Sequence, residues 1–129
     1  MAHREKIEGY LLDLSLSYQE KGDNIWVVFG EETGLENLIV MIEEPLLILR
    51  VKVMDAPAKN RERFFEELLR LNAADLAHGA YGLEGDSIIL IDTLEVDTVD
   101  LKQFQASLDA LGLALGQHYE KLAEYRKTQ

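Results

Sequence analysis

The densest group of side chains that could do chemistry is a set of carboxylates between residues 84 and 100. Carboxylate oxygens that lie close together can bind a hard cation such as calcium. The set lacks the regular alternation and the closing glutamate of an EF-hand loop, so we expect turns and helix caps to use most of its members. An ion-binding or enzymatic role for this acidic set is kept as an alternative, and a bound ion would then raise the melting temperature. Its members are Glu84, Asp86, Asp92, Glu95, Asp97 and Asp100.

The histidines, serines and glycines form no recognisable catalytic or cofactor-binding motif. His3, His78 and His118 are far apart in sequence, and none has the HxxxH or HExxH spacing of a metal site. No serine lies in a GxSxG context. The glycines of residues 79–85 precede a predicted strand, whereas a phosphate-binding loop would open a helix and carry a lysine. We therefore predict no catalytic residue, no cofactor and no metal site, in a protein that is not an enzyme.

The composition disfavours several classes of partner. The 129 residues carry a formal net charge of −11, which argues against nucleic acid and anionic membranes, because both bind clustered Lys and Arg. Long-range attraction would favour a basic protein segment, although acidity also serves solubility. The sequence has no cysteine, no apolar run long enough to span a bilayer and no secretory signal. We expect a cytoplasmic protein.

Hydrophobic periodicity predicts the elements that position these side chains. Helices are predicted at residues 4–20, from about residues 55–57 to Asn72, and from Asp97 onward, where Asp97 and Asp100 resemble a capping box. Strands are predicted at residues 24–29, 36–42, 46–54, 78–84 and 87–93, and the last two form a hairpin around Gly85-Asp86. The order αβββαββα predicts one α+β domain over residues 1–129. Its antiparallel five-stranded sheet has helices packed mainly on one face.

Three adjoining patterns resemble a known family. The helix end Leu68-Leu69-Arg70-Leu71-Asn72 is followed by Gly79-Ala80-Tyr81-Gly82-Leu83 and by the apolar strand of residues 88–91. With the order αβββαββα, these patterns resemble the YbjN-like proteins and the type III secretion chaperone-like (Tir chaperone-like) superfamily. The resemblance implies a compact α+β subunit that commonly forms a homodimer and, in the secretion chaperones, holds an extended segment of a client protein. It also implies that the central helix contributes to the dimer, which makes Phe64 and Phe65 candidate interface residues.

Apolar residues beyond the expected core contacts are the candidate protein-binding residues. Leu12 and Leu16 lie beside the main apolar stripe of the first helix. Trp26 and Phe29 fall on opposite faces of the first predicted strand, so at least one of them is a candidate for a second surface. Ile39 and Met41 lie on the second, partly apolar face of the next strand.

These features predict a non-enzymatic, chaperone-like protein-binding module. It would be a homodimer that holds an extended or partly unfolded client segment, either along a sheet edge or on apolar surface beside the first helix. The alternative is a YbjN-like signalling regulator or scaffold dimer that recognises one folded partner. The identity of the partner, the dimer geometry and the involvement of a secretion system do not follow from the sequence.

Overall fold

The computed structural model describes residues 2–29, 37–76 and 78–127 and has three helices and six strands in these ranges. The helices are α1 (Ala2–Asp13), α2 (Arg61–Ala74) and α3 (Leu101–Lys127). The strands are β1 (Ser17–Gly22), β2 (Ile25–Phe29), β3 (Leu38–Glu43), β4 (Leu46–Asp55), β5 (Ala80–Glu84) and β6 (Ser87–Glu95). The order is αββββαββα, so one strand that was not predicted follows the first helix.

All six strands form one antiparallel sheet in the order β1-β2-β3-β4-β6-β5. The predicted α+β class and antiparallel sheet are confirmed, whereas the number of five strands is wrong. The remaining predicted strands overlap the observed ones, and the beginning of the second, at Glu36, lies outside the described residues. The predicted β5–β6 turn is confirmed, with Gly85 at a φ of 59° and Glu84 opposite Ser87.

α1 ends at Asp13 because Ser15 adopts a left-handed backbone conformation with a φ of 58°. The Leu16 amide donates to the Leu11 carbonyl at 3.0 Å, and the Ser15 amide donates to the Leu12 carbonyl at 3.0 Å. These two bonds form a Schellman motif, which satisfies the last free carbonyls of a helix. Glycine is the usual residue at this position. Because a serine occupies it, the sequence pattern did not mark the helix end, and the predicted helix was too long.

β1 lacks the alternating pattern that identifies a strand. Its only apolar side chain is Tyr18, which packs against the core, while the other five residues are exposed. The strand pairs with β2 from Ser17, opposite Phe29, to Gly22, opposite Ile25. Edge strands carry hydrophilic residues because these prevent pairing with further chains. Such a strand therefore lacks a pattern of its own, and its structure depends on the strand it pairs with.

Alternation along the strands places one face of the sheet in the core. Trp26, Val40 and Leu49 are neighbours on three adjacent strands and are 0% exposed. The buried residues of the three helices join these strand residues in one hydrophobic cluster. Ring contacts connect the helices, with 4.8 Å between the ring centroids of Phe64 in α2 and Tyr125 in α3. The helices therefore cover this face of the sheet.

α2 begins at Arg61, later than the predicted start at residues 55–57. Pro57 is buried in the connection between β4 and the helix. The Ala56 amide donates at 2.7 Å to the carbonyl of Asp86 in the β5–β6 turn, which ties the end of β4 to that turn. The helix can start only after this connection, so the proline precedes its first turn.

A capping box fixes the start of α3. The Gln103 amide donates to Asp100 Oδ1 at 2.7 Å, and the Asp100 amide donates to Gln103 Oε1 at 3.1 Å. These reciprocal bonds satisfy two free donors at the start of the helix. The predicted box of Asp97 with Asp100 lay three residues too early, because the Asp97 carboxylate faces His3 instead.

The left-handed Ser15 predicts a stabilising substitution. Ser15→Gly should raise the free energy of unfolding by about 0.5–1 kcal/mol, because glycine has no side-chain penalty at positive φ but adds some entropy to the unfolded chain. Urea unfolding followed by circular dichroism measures this change. The matched control is Ser17→Gly in β1, which should lower stability, because glycine weakens strands. Equal effects of the two variants would contradict the Schellman assignment.

Candidate protein-binding surface

The face of the sheet opposite the helices is largely apolar. Ile25, Met41 and Ile48 are cross-strand neighbours on β2, β3 and β4, and Val27 lies opposite Ile39 in the next row. They alternate with core residues, so their side chains point away from the helices. We call this surface the open face and define it by eight apolar residues: Ile25, Val27, Phe29, Ile39, Met41, Leu46, Ile48 and Ile91.

The apolar character of the open face is unusual for a solvent-facing sheet surface. The solvated face of an antiparallel sheet usually carries polar residues in alternation with the core. The buried residues of all three helices belong to the cluster on the other face, so these helices do not use the open face. Contiguous apolar surface on a protein commonly marks an interaction site.

Two cations lie among the apolar residues of the open face. Arg50 stands opposite Ile39 on one side and Ile91 on the other, and its guanidinium forms an ion pair with Glu84. Lys52, two residues further along β4, pairs with Asp55 at 2.8 Å. The open face therefore combines apolar contact area with exposed ion pairs, which contribute little to stability and are easily exchanged for other partners.

The structure brings three of the predicted binding residues together on the open face. Ile39 and Met41 are both partly buried there. Phe29 is 38% exposed at the end of β2. Their shared face follows from the pairing of β2 with β3, in which Val27 lies opposite Ile39 and Ile25 opposite Met41.

Trp26 was wrongly included among the candidate surface residues, because it is 0% exposed and faces the helices. Its indole Nε1 donates to Glu8 Oε2 at 3.3 Å. The guanidinium of Arg4 lies 5.6 Å from the ring centroid. Trp26 therefore fastens α1 to the sheet and presents no surface to a client.

The two leucines predicted on the first helix have different environments. Leu12 is 64% exposed on α1. Leu16 follows the Schellman turn and packs partly against the core. Neither belongs to the open face, because α1 packs on the opposite side of the sheet. Of the two leucines, only Leu12 therefore presents most of its side chain to solvent. It is the one that a client bound on the helix side of the sheet would contact.

The predicted interface residues on α2 also divide into core and surface. Phe64 is 0% exposed, and its ring contacts that of Tyr125 at an interplanar angle of 59°, so it belongs to the core of the subunit. Phe65 is partly buried, with the Arg61 guanidinium 5.3 Å from its ring centroid. One turn further along α2, Leu69 is 67% exposed. The i+4 spacing of Phe65 and Leu69 places both side chains on one side of the helix.

A buried polar network joins α2, β5 and α3. The Tyr81 hydroxyl lies 2.7 Å from Nδ1 of His118, whose Nε2 lies 3.3 Å from Asp75 Oδ2. His118 is 2% exposed, so this histidine lies in the core. The side chain of Asn72 accepts a hydrogen bond from the backbone N–H of Tyr81 and donates one to the backbone carbonyl of the same residue. Burial, with a smaller contribution from the Asp75 carboxylate, raises the pKa of Tyr81 to about 12.

The carboxylates between residues 84 and 100 do not converge on one point within the described chain. Glu84 pairs with Arg50 and Asp86 with Arg61, while Asp100 caps α3. These contacts lie on different elements, so the described part of the set does not form a single calcium centre.

Asp92 is the member of the set that faces the core side of the sheet, opposite Leu49. Its side chain is 12% exposed, accepts a hydrogen bond from the buried Ser107 hydroxyl and accepts another from the Thr93 amide at 3.0 Å. These hydrogen bonds satisfy the Asp92 carboxylate within the subunit. Asp97 instead lies with His3 and Glu44, with one nitrogen or oxygen atom of each residue within 4.8 Å of the others.

Comparison with known proteins identifies similar folds. Residues 1–128 match the family model CesT_Tir_1. The structure of YbjN from E. coli is similar with a TM-score of 0.68 at 15% identity, with 92% of each chain covered. SycH of Yersinia pestis, solved in complex with a fragment of YscM2, has a TM-score of 0.61 at 16% identity, covering 88% of this chain and 98% of its own.

A third similar structure is the HopA1–SchA chaperone–effector complex, with a TM-score of 0.64 at 9% identity, covering 97% of this chain and 93% of that chain. At such identities the likeness concerns the fold alone. No curated protein matches this chain in sequence. Within the described residues, none of the helices is long and apolar enough to cross a membrane.

The polar network predicts a stability loss on removing one hydroxyl. Tyr81→Phe leaves His118 Nδ1 without its partner and should lower the free energy of unfolding by about 1–3 kcal/mol, the usual cost of a buried unsatisfied group. Denaturant unfolding measures the loss. Tyr119→Phe is the matched control, because Tyr119 is 61% exposed and should tolerate the change. A Tyr81→Phe protein as stable as wild type would contradict the network.

The raised pKa of Tyr81 predicts an alkaline loss of stability. Its folded pKa of about 12 lies above the ordinary value of 10.0, so between these values the unfolded chain releases this proton first. The contribution of Tyr81 is therefore fully present below pH 10 and is lost as pH rises toward 12. Unfolding measured over this range should show a shallower decline for Tyr81→Phe than for wild type. Parallel curves would argue against a raised pKa at Tyr81.

Proposed function

Since the chain belongs to the CesT_Tir_1 family of type III secretion chaperones, we propose that it holds an extended segment of a client protein on its open face. The observation that carries this proposal is the apolar open face, which the three helices of the subunit do not use. A chaperone-like protein-binding role is consistent with the structural relatives, two of which were solved with a bound protein.

The open face suits an extended segment because of its shape. Its apolar residues lie in rows across neighbouring strands, such as Ile25, Met41 and Ile48. An extended chain presents alternate side chains to one side, at a rise of about 3.3 Å per residue. Every second side chain of a client can therefore contact these rows, while the others stay in water.

The negative charge of the protein favours the approach of a basic client segment. The net charge of −11 attracts a segment with basic residues from a distance, and salt weakens this attraction. At the surface, Glu84 and Asp55 already hold the two cations of the open face and could exchange them for basic groups of the client. We therefore propose a client segment that is apolar at alternate positions and basic between them.

We propose that the protein is a binding module and not an enzyme. The family and two of its structural relatives, SycH and SchA, are chaperones, which supports this assignment at the level of the family. A cytoplasmic location is part of the same proposal and rests on the family. The YbjN-like alternative, a regulator or scaffold that binds one folded partner, makes a different prediction, because short unstructured peptides should then compete poorly.

We further propose that the subunit forms a homodimer through α2 and β5. Leu69 is 67% exposed on α2, and Leu83 is 51% exposed on β5, the strand that α2 contacts. Phe65 lies one turn before Leu69 on the same helix and is partly buried. Leu69 and Leu83 are more exposed than Phe65, so a second subunit would bury more of their surface.

Client binding is tested with variants of the open face. Binding partners captured from native cytosol would be trimmed by limited proteolysis, and the protected segment would be synthesised as a labelled peptide. Met41→Glu and Ile39→Glu should each weaken its binding by about 2 kcal/mol, or about 30-fold, as expected for a central apolar contact. Fluorescence anisotropy measures this affinity.

Leu12→Glu is the matched control for client binding, since Leu12 is exposed on α1, away from the open face. Unchanged binding of Leu12→Glu together with loss in the sheet variants supports the open face. Loss in Leu12→Glu with intact sheet variants would move the site to the helix side and overturn this proposal. A captured partner that binds only as a folded domain would favour the YbjN-like alternative.

The dimer is tested by light scattering coupled to size-exclusion chromatography. Leu69→Glu and Leu83→Glu should convert a dimer into monomers, because each places a charge in an apolar contact. The matched control is Leu113→Glu on α3, which is 62% exposed and lies outside the proposed interface. A monomeric wild-type protein, or a Leu69→Glu dimer of unchanged mass, would show that the interface proposal is wrong.

A further inference from the structure

Three segments distant in sequence meet around the imidazole of His3. His3 lies in the first turn of α1, and its Nδ1 is 2.5 Å from Oε1 of Glu44, in the turn between β3 and β4. Its Nε2 is 2.7 Å from Oδ1 of Asp97, in the connection between β6 and α3. Both ring nitrogens therefore face a carboxylate oxygen.

The hydrogen bonds of this group require either a second proton on the imidazole or a metal ion. A neutral imidazole has one N–H and one nitrogen lone pair, and an ionised carboxylate only accepts hydrogen bonds. His3 in its neutral form can therefore donate to Glu44 or to Asp97, but not to both. The other contact sets a nitrogen lone pair against an oxygen lone pair. Protonation of the ring removes this repulsion, and so does a metal ion bound between the two atoms.

The surroundings of the group increase its attraction for a cation. Glu43 and Glu95 both stand opposite Leu46 in the sheet register, at the end of the sheet where Glu44 and Asp97 also lie. The nearby Lys6 ammonium donates at 3.1 Å to the carbonyl of Val96, so its charge is directed at the backbone. Carboxylates therefore outnumber cations at this end.

We propose that His3, Glu44 and Asp97 bind a divalent transition-metal ion of the zinc type. Zinc takes imidazole nitrogen and carboxylate oxygen ligands, often three from the protein with a water in the fourth position. One ligand atom from each residue lies within 4.8 Å of the others. Tetrahedral bonds of about 2.0–2.2 Å place two ligand atoms about 3.4 Å apart, and one zinc ion takes one ring nitrogen, so the carboxylates of Glu44 and Asp97 must turn toward the same nitrogen to close the site.

The donor set distinguishes zinc from the harder cations. Calcium and magnesium prefer a shell of oxygen ligands, and the nitrogen of His3 replaces one of these oxygens. Bound zinc would link the start of α1 to the β3–β4 turn and to the β6–α3 connection. Because the unfolded chain does not hold these segments together, zinc should stabilise the folded protein by mass action.

The experiment is a calorimetric titration of metal-free protein with zinc chloride at neutral pH, with the affinity tag removed. The expected result is one zinc per chain, with no binding of calcium or magnesium. His3→Ala should abolish the binding. Glu44→Gln and Asp97→Asn should each weaken it by at least about tenfold, since even outer-shell partners of metal ligands contribute about 10- to 100-fold.

His78→Ala is the matched control, because His78 is exposed and lies outside the group of His3, Glu44 and Asp97. It should bind zinc like the wild type, and zinc should raise the melting temperature of both but not that of His3→Ala. Circular dichroism verifies that each variant is folded. Wild type that binds no zinc, or His3→Ala that binds as wild type does, would overturn the proposal.

Discussion

The alternation of side chains along the strands is the constraint on which the rest of this structure depends. Trp26 and Val40 can enter the core only if Val27 and Ile39, their neighbours in sequence, point away from it. The buried residues of the three helices join the first set in one cluster. A slip of one residue in this register would exchange the two faces, so packing of the core also fixes the open face.

One-sided burial explains why an apolar surface persists outside the core. The sheet is wide, and its helices cover one face, while Met41, Ile48 and their neighbours occupy the other. Exposed apolar surface of this kind carries a solubility cost, which the net charge of −11 offsets through repulsion between molecules. The same combination suits a protein that must stay dispersed while it presents apolar contacts to an extended chain.

Polar side chains are used mainly to join elements that the core alone does not position. His118 links α3 to Tyr81 of β5 and to Asp75 at the end of α2, and Ser107 of α3 satisfies Asp92 of β6. Carboxylates that are close in sequence thus serve separate contacts. A buried carboxylate or imidazole without such partners would cost several kcal/mol, so these residues specify how the helices lie on the sheet.

The sequence by itself determined the α+β class, the β5–β6 hairpin with its turn at Gly85, and the membership of Ile39 and Met41 in a second sheet face, because these depend on local periodicity and turn chemistry. Only the tertiary structure decided the sixth strand, whose polar residues acquire strand structure by pairing with β2. It likewise placed Trp26 in the core and His3 between two carboxylates. Local alternation separates the two faces of a strand, but which face the helices cover and which distant groups meet depend on long-range packing.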